Sequence, residues 1–163
     1  MPQLPKRILA LDPITKGFGY VIFEKPFRLV EWNIAYVTGE KHAGAIARFT
    51  ELVNLIEPDA VVIEDVTAAG SRRRYRVRRL IESLTAYARG RGITVRTIAR
   101  SAVVKRFAPE GEAATKYAIA AQLAKSFPEI ASQLPWARKP WQSEDERMAL
   151  FDALALAVTY ATE

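Results

Sequence analysis

Three carboxylates stand at the ends of, or inside, strongly apolar runs of this 163-residue chain. Asp12 follows the run Ile-Leu-Ala-Leu, and Glu64 follows Ala-Val-Val-Ile. Asp152 interrupts the apolar stretch 148–158. A carboxylate in such surroundings is costly unless it is paired or bound to a metal. Three of them, from three separate segments, therefore predict one shared cation site.

The ligand type decides which chemistry such a site would support. Carboxylate oxygens suit Mg²⁺ or Mn²⁺, and the chain has no cysteine that would form a thiolate site. With a phosphodiester substrate, two such ions can activate water and stabilise the leaving oxygen. The alternative for each single acid is a strand-end cap, or a salt bridge to one of the many arginines.

Positive charge is concentrated in one segment of the chain. The formal net charge is +6, yet residues 71–107 carry twelve Arg and Lys side chains against the single acid Glu82. This asymmetry is typical of nucleic-acid binding, although a solvated helix face that keeps the protein soluble is the alternative. The densest run predicts a DNA-contacting surface whose members are Arg72, Arg73, Arg74, Tyr75, Arg76, Arg78 and Arg79.

Short apolar runs and helical spacings alternate along the chain and would position these groups. Strands are predicted at 8–12, 18–24, 28–36, 60–66 and 94–98. Helices are predicted at 42–56, 75–91, 101–107, 113–127 and from 143 onward. The first three strands favour an antiparallel meander, with a turn at Pro13 ending the first strand. The whole order indicates an α/β fold with a five-stranded mixed sheet flanked by helices.

The predicted ends of these elements matter for the acids. Asp12 and Glu64 would lie at the same edge of the sheet if their strands are neighbours, and Asp152 would lie on a helix packed over that edge. Ser143 is predicted to cap this last helix, with Glu146 completing a capping box. Ser101 is predicted to cap the short helix to residue 107.

The sequence also bears on location. Its start shows neither a long apolar segment nor a cleavage-site pattern, and uncharged runs stay short of the ~20 residues that span a membrane. A chain without cysteine fits a reducing compartment. We therefore expect a cytoplasmic protein that does not associate with membranes.

The acidic segments resemble, in order, the motifs of the RuvC-type Holliday-junction resolvases. Asp12-Pro13 after an Ile-Leu-rich strand, followed by Gly-Phe-Gly-Tyr at 17–20, is similar to the first family motif. Ala-Val-Val-Ile-Glu at 60–64 is similar to the second acidic strand. Asp-Ala-Leu-Ala-Leu-Ala-Val-Thr at 152–159 strongly resembles the last motif. The resemblance covers most of the chain.

The resemblance implies a single RNase H-like domain over residues 1–163, a homodimer, Mg²⁺ as cofactor, and paired nicks in a four-way DNA junction. Asp12, Glu64 and Asp152 would be the metal ligands. Lys105 and Lys116 match positions of substrate-contacting lysines, and would contact DNA phosphates or assist at the scissile group.

The chain departs from the family pattern at three positions, one of which is Ile14, where the family has a glycine after Asp-Pro. The family has a further Asp one helical turn before the last one, where this chain has Ala149. Asp145 is a candidate replacement as metal ligand, but it lies ~10.5 Å along the axis of a continuous helix; the alternative is a first-turn acid favoured by the helix dipole. Thr67 stands where the family has a base-stacking aromatic, and Tyr75 is the candidate substitute.

Two other functions stay open at this point. Without the family acid at position 149, the protein would be a module that binds branched DNA with weak or no cleavage. The other open function is that of an RNase H-like nuclease that acts on RNA. Trp136 and Trp141 flank a proline-bounded loop, and core anchoring or a dimer contact is favoured over base stacking.

Overall fold

The structure is a computed structural model that describes residues 7–67, 73–111 and 114–163. Its five strands are β1 (Arg7–Ile14), β2 (Gly17–Glu24), β3 (Arg28–Tyr36), β4 (Ala60–Glu64) and β5 (Thr94–Ile98). Its helices are α1 (Lys41–Ile56), α2 (Tyr75–Gly90), α3 (Arg100–Phe107), α4 (Lys116–Ser126) and α5 (Met148–Ala161), with a 3₁₀ helix at Pro128–Gln133.

The strands form one mixed sheet in the order β3-β2-β1-β4-β5. β1, β2 and β3 pair as an antiparallel meander, whereas β4 runs parallel to both β1 and β5. The apolar, β-branched composition of β4 agrees with this interior position, because such strands are covered on both faces. The predicted five-stranded mixed sheet is confirmed.

Helices cover both faces of the sheet, and strand periodicity decides which residues meet which layer. In β1, Leu9 and Leu11 pack toward α1 and α2, whereas Ile8 and Ala10 pack toward α3, α4 and α5. Side chains alternate along a strand, so Asp12 shares the face of Ile8 and Ala10. The same alternation in β4 places Glu64 on the face of Val62.

Helix α5 is the central element of that second layer. Every residue from Met148 to Thr159 is buried except Asp152. The start of α5 lies against β2, where a Cβ added to Gly19 would come within 2.6 Å of the Cβ of Ala149. Gly19 pairs with Asp12 in the sheet. A glycine there lets the helix approach the strand beside Asp12.

Three of the predicted boundaries that differ from the structure involve a proline or a helix cap. β1 continues through Pro13 to Ile14; this portion lies past residues 8–10, which pair with β4, and proline is tolerated where a strand has one neighbour. Ser101 lies inside α3, whose N-cap is Ala99. Helix α5 begins at Met148, five residues after Ser143, so the predicted capping box does not form.

Residues before α5 adopt a tighter turn instead of a helix. The N–H groups of Met148 and Ala149 donate to the carbonyls of Asp145 and Glu146, three residues back, which is the 3₁₀ spacing. The Asp145 carboxylate accepts a hydrogen bond from the Arg147 N–H at 2.9 Å. Local side-chain-to-backbone bonding of this kind competes with helix formation, which explains the late start of α5.

Across 7–67, 73–111 and 114–163, we find no helix that has both the length and the apolar character needed to cross a bilayer.

Candidate functional site

Two parallel strands and one helix bring the three predicted acids into one cleft. The register of β1 and β4 pairs Ile8 with Ala60 and Ala10 with Val62; continued in step, it sets Asp12 level with Glu64. Asp152 projects from α5 into the same cleft, which has a volume of about 20 Å³. A volume near this size holds about one water molecule. The cleft is therefore almost filled by protein atoms.

Arg73 fills one side of the cleft. Its guanidinium contacts the Asp12 carboxylate through Nη2 and donates from Nε to Glu64 Oε2 at 2.9 Å. The remaining nitrogen, Nη1, donates to the carbonyl of Pro13 at 3.2 Å. The side chains are 21% exposed for Arg73, 5% for Asp12 and 16% for Glu64. One buried cation thus holds two of the three acids.

Lys116 occupies the other side, at the first residue of α4. Thr115 caps this helix by accepting from the Ala118 N–H. The Lys116 ammonium lies 3.2 Å from Asp152 Oδ2 and 3.4 Å from Glu144 Oε1. The Asp152 side chain is 14% exposed and Glu144 is 43% exposed. This second ion-pair cluster opens toward solvent.

Burial perturbs the proton affinities of these groups. The pKa of Asp12 is raised to about 7, first by burial and second by the charge of Asp152, while the charges of Arg73 and Lys116 oppose the change. Burial also raises the pKa of Asp152, against the influence of Lys116. For Lys116, burial lowers the pKa, but Asp152, Asp12 and Glu144 outweigh burial, and the pKa is raised. Such shifts are typical of functional sites.

The donor set fits a hard divalent cation, but the protein's own cations take its place. Among the described residues, no three acidic or histidine side chains stand close enough together to hold a metal ion. The oxygens of Asp12 and Glu64 converge on a guanidinium, and that of Asp152 on an ammonium. Oxygen-only ligands are those that Mg²⁺ and Mn²⁺ prefer, so the chemistry fits while the present geometry is closed.

The acid predicted to replace the family Asp lies elsewhere. Ala149 is buried against Gly19. Asp145 forms a bidentate pair with Arg147, at 2.9 and 3.0 Å, and lines a neighbouring cavity of about 550 Å³. Glu144, which the sequence analysis did not single out, is the acid that shares Lys116 with Asp152.

The predicted DNA-contacting run divides into one inward residue and an exposed group. Arg73 turns into the cleft, whereas the rest of the described run is exposed, namely Arg74, Tyr75, Arg76, Arg78 and Arg79. The Tyr75 ring is 75% exposed, and the Arg79 guanidinium lies over it at 5.9 Å. Lys105 is exposed on α3. Arg72 lies outside the described residues.

The two tryptophans of the loop before α5 are not core anchors. Trp136 is 94% exposed and Trp141 is 77% exposed. Lys139 lies 5.4 Å from the centre of the Trp141 ring, and Trp136 lines the cavity of about 550 Å³ together with Lys116. The core-anchoring interpretation is therefore wrong.

Sequence reasoning missed the inward turn of Arg73 and the position of Glu144. Both residues were visible in the sequence, but neither carried a distinguishing signal. Arg73 is one of several neighbouring arginines, and Glu144 is one of three consecutive acids at 144–146. Arg100 was missed as well; it lines the cleft, and its charge lowers the pKa of Asp152.

Comparisons with known proteins bear on the fold. Neither a protein-family sequence model nor a curated protein sequence matches the chain. Among solved structures, RuvC of Thermus thermophilus aligns with a TM-score of 0.65 and 21% identity over 95% of this chain and 93% of that chain. The same protein in complex with Holliday junction substrate aligns with a TM-score of 0.66 and 20% identity, over 96% and 92%.

A third structure shows the same architecture from a different source. The yeast mitochondrial Holliday junction resolvase Ydc2 aligns with a TM-score of 0.66 and 15% identity, over 98% of this chain and 80% of that chain. At identities this low, the structural alignments establish the architecture. The activity has to be argued from the site. The chain has the RNase H-like fold of the RuvC-type Holliday-junction resolvases.

Proposed function

We propose that the protein is a Mg²⁺-dependent, structure-selective endonuclease of branched DNA. The single observation that carries this proposal is the meeting of Asp12, Glu64 and Asp152 in one buried cleft of a resolvase-like fold. Similar structures are those of Holliday-junction resolvases, one of them in complex with its junction substrate. Carboxylate oxygens are the ligand type that Mg²⁺ and Mn²⁺ prefer, and such ions serve phosphodiester hydrolysis.

The roles of the residues follow from their positions. Asp12, Glu64 and Asp152 would hold Mg²⁺ or Mn²⁺. When held by these residues, divalent ions would supply Lewis-acid chemistry for phosphodiester hydrolysis. Lys116, beside Asp152, would contact the scissile phosphate, because an ammonium serves as a point charge for a phosphate oxygen.

The exposed basic group would bind the DNA backbone. Arg74, Arg76, Arg78 and Arg79 project around the start of α2, and Lys105 adds a charge on α3. Guanidinium groups position phosphates without reading sequence, which suits recognition of a branch rather than a base order. Two copies of the chain, as a homodimer on a four-way junction, would place one cleft at each of two nicked strands.

A gel assay of nicking on a synthetic four-way junction with Mg²⁺ tests this function. The unmodified protein should cut the junction, and Asp12→Asn and Glu64→Gln should each abolish cutting. Glu129→Gln is the matched control, because it removes the same charge at an exposed site on the 3₁₀ helix. Equal nicking by the two cleft variants and the control would contradict the assignment.

A second candidate is a branched-DNA-binding module that does not cut. Two observations favour it: Ala149 stands where the family carries an acid, and protein cations occupy the cleft. If the basic group makes about six phosphate contacts, log affinity should fall with log salt at a slope of about −5. Tight, salt-sensitive junction binding without nicking in Mg²⁺ or Mn²⁺ would favour the module over the nuclease.

A further inference from the structure

The contacts of Arg73 differ from those of a residue that binds a phosphate. All three guanidinium nitrogens are used inside the protein: by Asp12, by Glu64 and by the Pro13 carbonyl. The planar fork of an arginine suits such simultaneous contacts to several oxygens. Burial lowers the pKa of Arg73, but Asp12 and Glu64 outweigh burial and raise it. Arg73 is therefore a fixed positive charge at this position.

This positive charge stands where the two strand carboxylates converge. Asp12 and Glu64 come from adjacent strands and face the same layer, so their oxygens point at a common space, and the guanidinium lies in it. Two buried carboxylates without a cation would repel each other and lose solvation. The guanidinium supplies a positive charge that stabilises this arrangement.

From these contacts we propose, resting on the proposed function, that Arg73 is an internal counter-ion that competes with divalent metal for Asp12 and Glu64. A cation bound by both carboxylates requires the guanidinium to leave, because the cleft of about 20 Å³ is too small to hold both. The protein without metal is thus held in a closed state. The affinity for metal is then set by the free energy of metal binding to the carboxylates minus the free energy of the arginine ion pairs that the metal displaces.

The arginine's place in the chain suits this role. Arg73 precedes Arg74, the N-cap residue of α2, and α2 is anchored independently by the buried residues Leu80, Ile81 and Leu84. A change of rotamer at Arg73 therefore leaves the packing of α2 intact. The neighbouring side chains of Arg74 and Arg76 are exposed, so solvent lies next to this segment.

Calorimetric titration of the full chain with Mn²⁺ tests the competition. Arg73→Gln removes the guanidinium and should bind Mn²⁺ at least about tenfold more tightly than the unmodified protein, which is about 1.4 kcal/mol. Arg89→Gln is the matched control, because it removes the same charge from an exposed position in the last turn of α2. The double variant Arg73→Gln/Asp12→Asn should lose the gain.

The outcomes separate this inference from the proposed function. If the unmodified protein and Arg73→Gln bind Mn²⁺ equally, the competition is overturned while the metal site stands. If neither binds Mn²⁺ at millimolar concentration, both the competition and the metal-dependent nuclease are overturned. An equal gain in Arg89→Gln would overturn the competition, because it would assign the effect to overall charge.

A second variant covers the case in which Arg73→Gln does not fold without metal. Arg73→Lys keeps the positive charge, but a single ammonium does not reproduce the guanidinium fork between two carboxylates. Its Mn²⁺ affinity should lie between those of the unmodified protein and Arg73→Gln. An affinity for Arg73→Lys below that of the unmodified protein would contradict the proposal.

Discussion

The cleft has two ion-pair clusters, one around Arg73 and one around Lys116, and they differ in burial and in geometry. The Arg73 cluster joins Asp12 and Glu64, with its side chains between 5% and 21% exposed. The Lys116 cluster joins Asp152 and Glu144, and its Lys116 side chain is 36% exposed. In the first cluster, the planar guanidinium of Arg73 lies between two carboxylates on strands. In the second cluster, the ammonium belongs to Lys116 at the start of α4. The first cluster is closed around its guanidinium, and the second is open to solvent.

The largest expected effect is the loss of protein stability when the cation of the Arg73 cluster is removed. Arg73→Met removes the buried cation and leaves Asp12 and Glu64 unpaired, so the free energy of unfolding without metal should fall by about 3–5 kcal/mol. Urea unfolding monitored by circular dichroism gives this value. A smaller loss of unfolding free energy in Arg73→Met than in Lys116→Met would contradict the proposed difference between the two clusters.

The spacing between the clusters depends on Gly19. Gly19→Ala introduces a methyl group 2.6 Å from the Cβ of Ala149, so α5 must move away from β2, at a cost of about 1–3 kcal/mol. Because Asp152 moves with α5, Mn²⁺ affinity should fall as well, measurable by calorimetry. Gly90→Ala is the control, because an added Cβ there meets open space. Unchanged stability in Gly19→Ala would contradict the observed close approach.

A smaller effect is expected from the open cluster. Lys116→Met removes a partly solvated ammonium from Asp152, whose side chain is 14% exposed, so the cost should lie above the roughly 0.2–1 kcal/mol of exposed pairs and below the roughly 3–5 kcal/mol of a broken buried pair. The same urea experiment, run beside Arg73→Met, gives the ratio of the two clusters directly. A cost for Lys116→Met equal to that of Arg73→Met would show that the two clusters are alike.

The smallest effect distinguishes two neighbouring acids. Glu144 raises the pKa of Lys116, whereas Asp145 binds Arg147. Glu144→Gln should therefore lower the pKa of Lys116, and Asp145→Asn should leave it unchanged. An NMR titration that follows the Lys116 Cε resonance measures both. A shift in Asp145→Asn equal to that in Glu144→Gln would show that Asp145 also belongs to the cluster.

The sequence predicted the sheet well because its signals are local. β3 and β5 match their predicted bounds, since a stretch with β-branched and aromatic residues between turn residues defines a strand. The convergence of Asp12 and Glu64 also followed from strand order and the two-residue period. The start of α5 did not, because the Asp145 side chain bonds the Arg147 backbone and delays the helix.

Arg73 shows where sequence reasoning stops. The run of arginines predicts a positive surface, and most of its described members form one. Which arginine turns inward depends on the position of α2 relative to the ends of β1 and β4, a tertiary relation with no local signal. The alternative prediction for each acid was a salt bridge to an arginine, and the structure shows this pairing at Asp12 and Glu64.

The most direct test of the account is a crystal structure of the protein grown with Mn²⁺, read by its anomalous signal. The account predicts a manganese peak bound by Asp12 and Glu64, with the Arg73 guanidinium turned out of the cleft. A structure in which Arg73 still bridges the two carboxylates and no manganese peak appears beside them would contradict it.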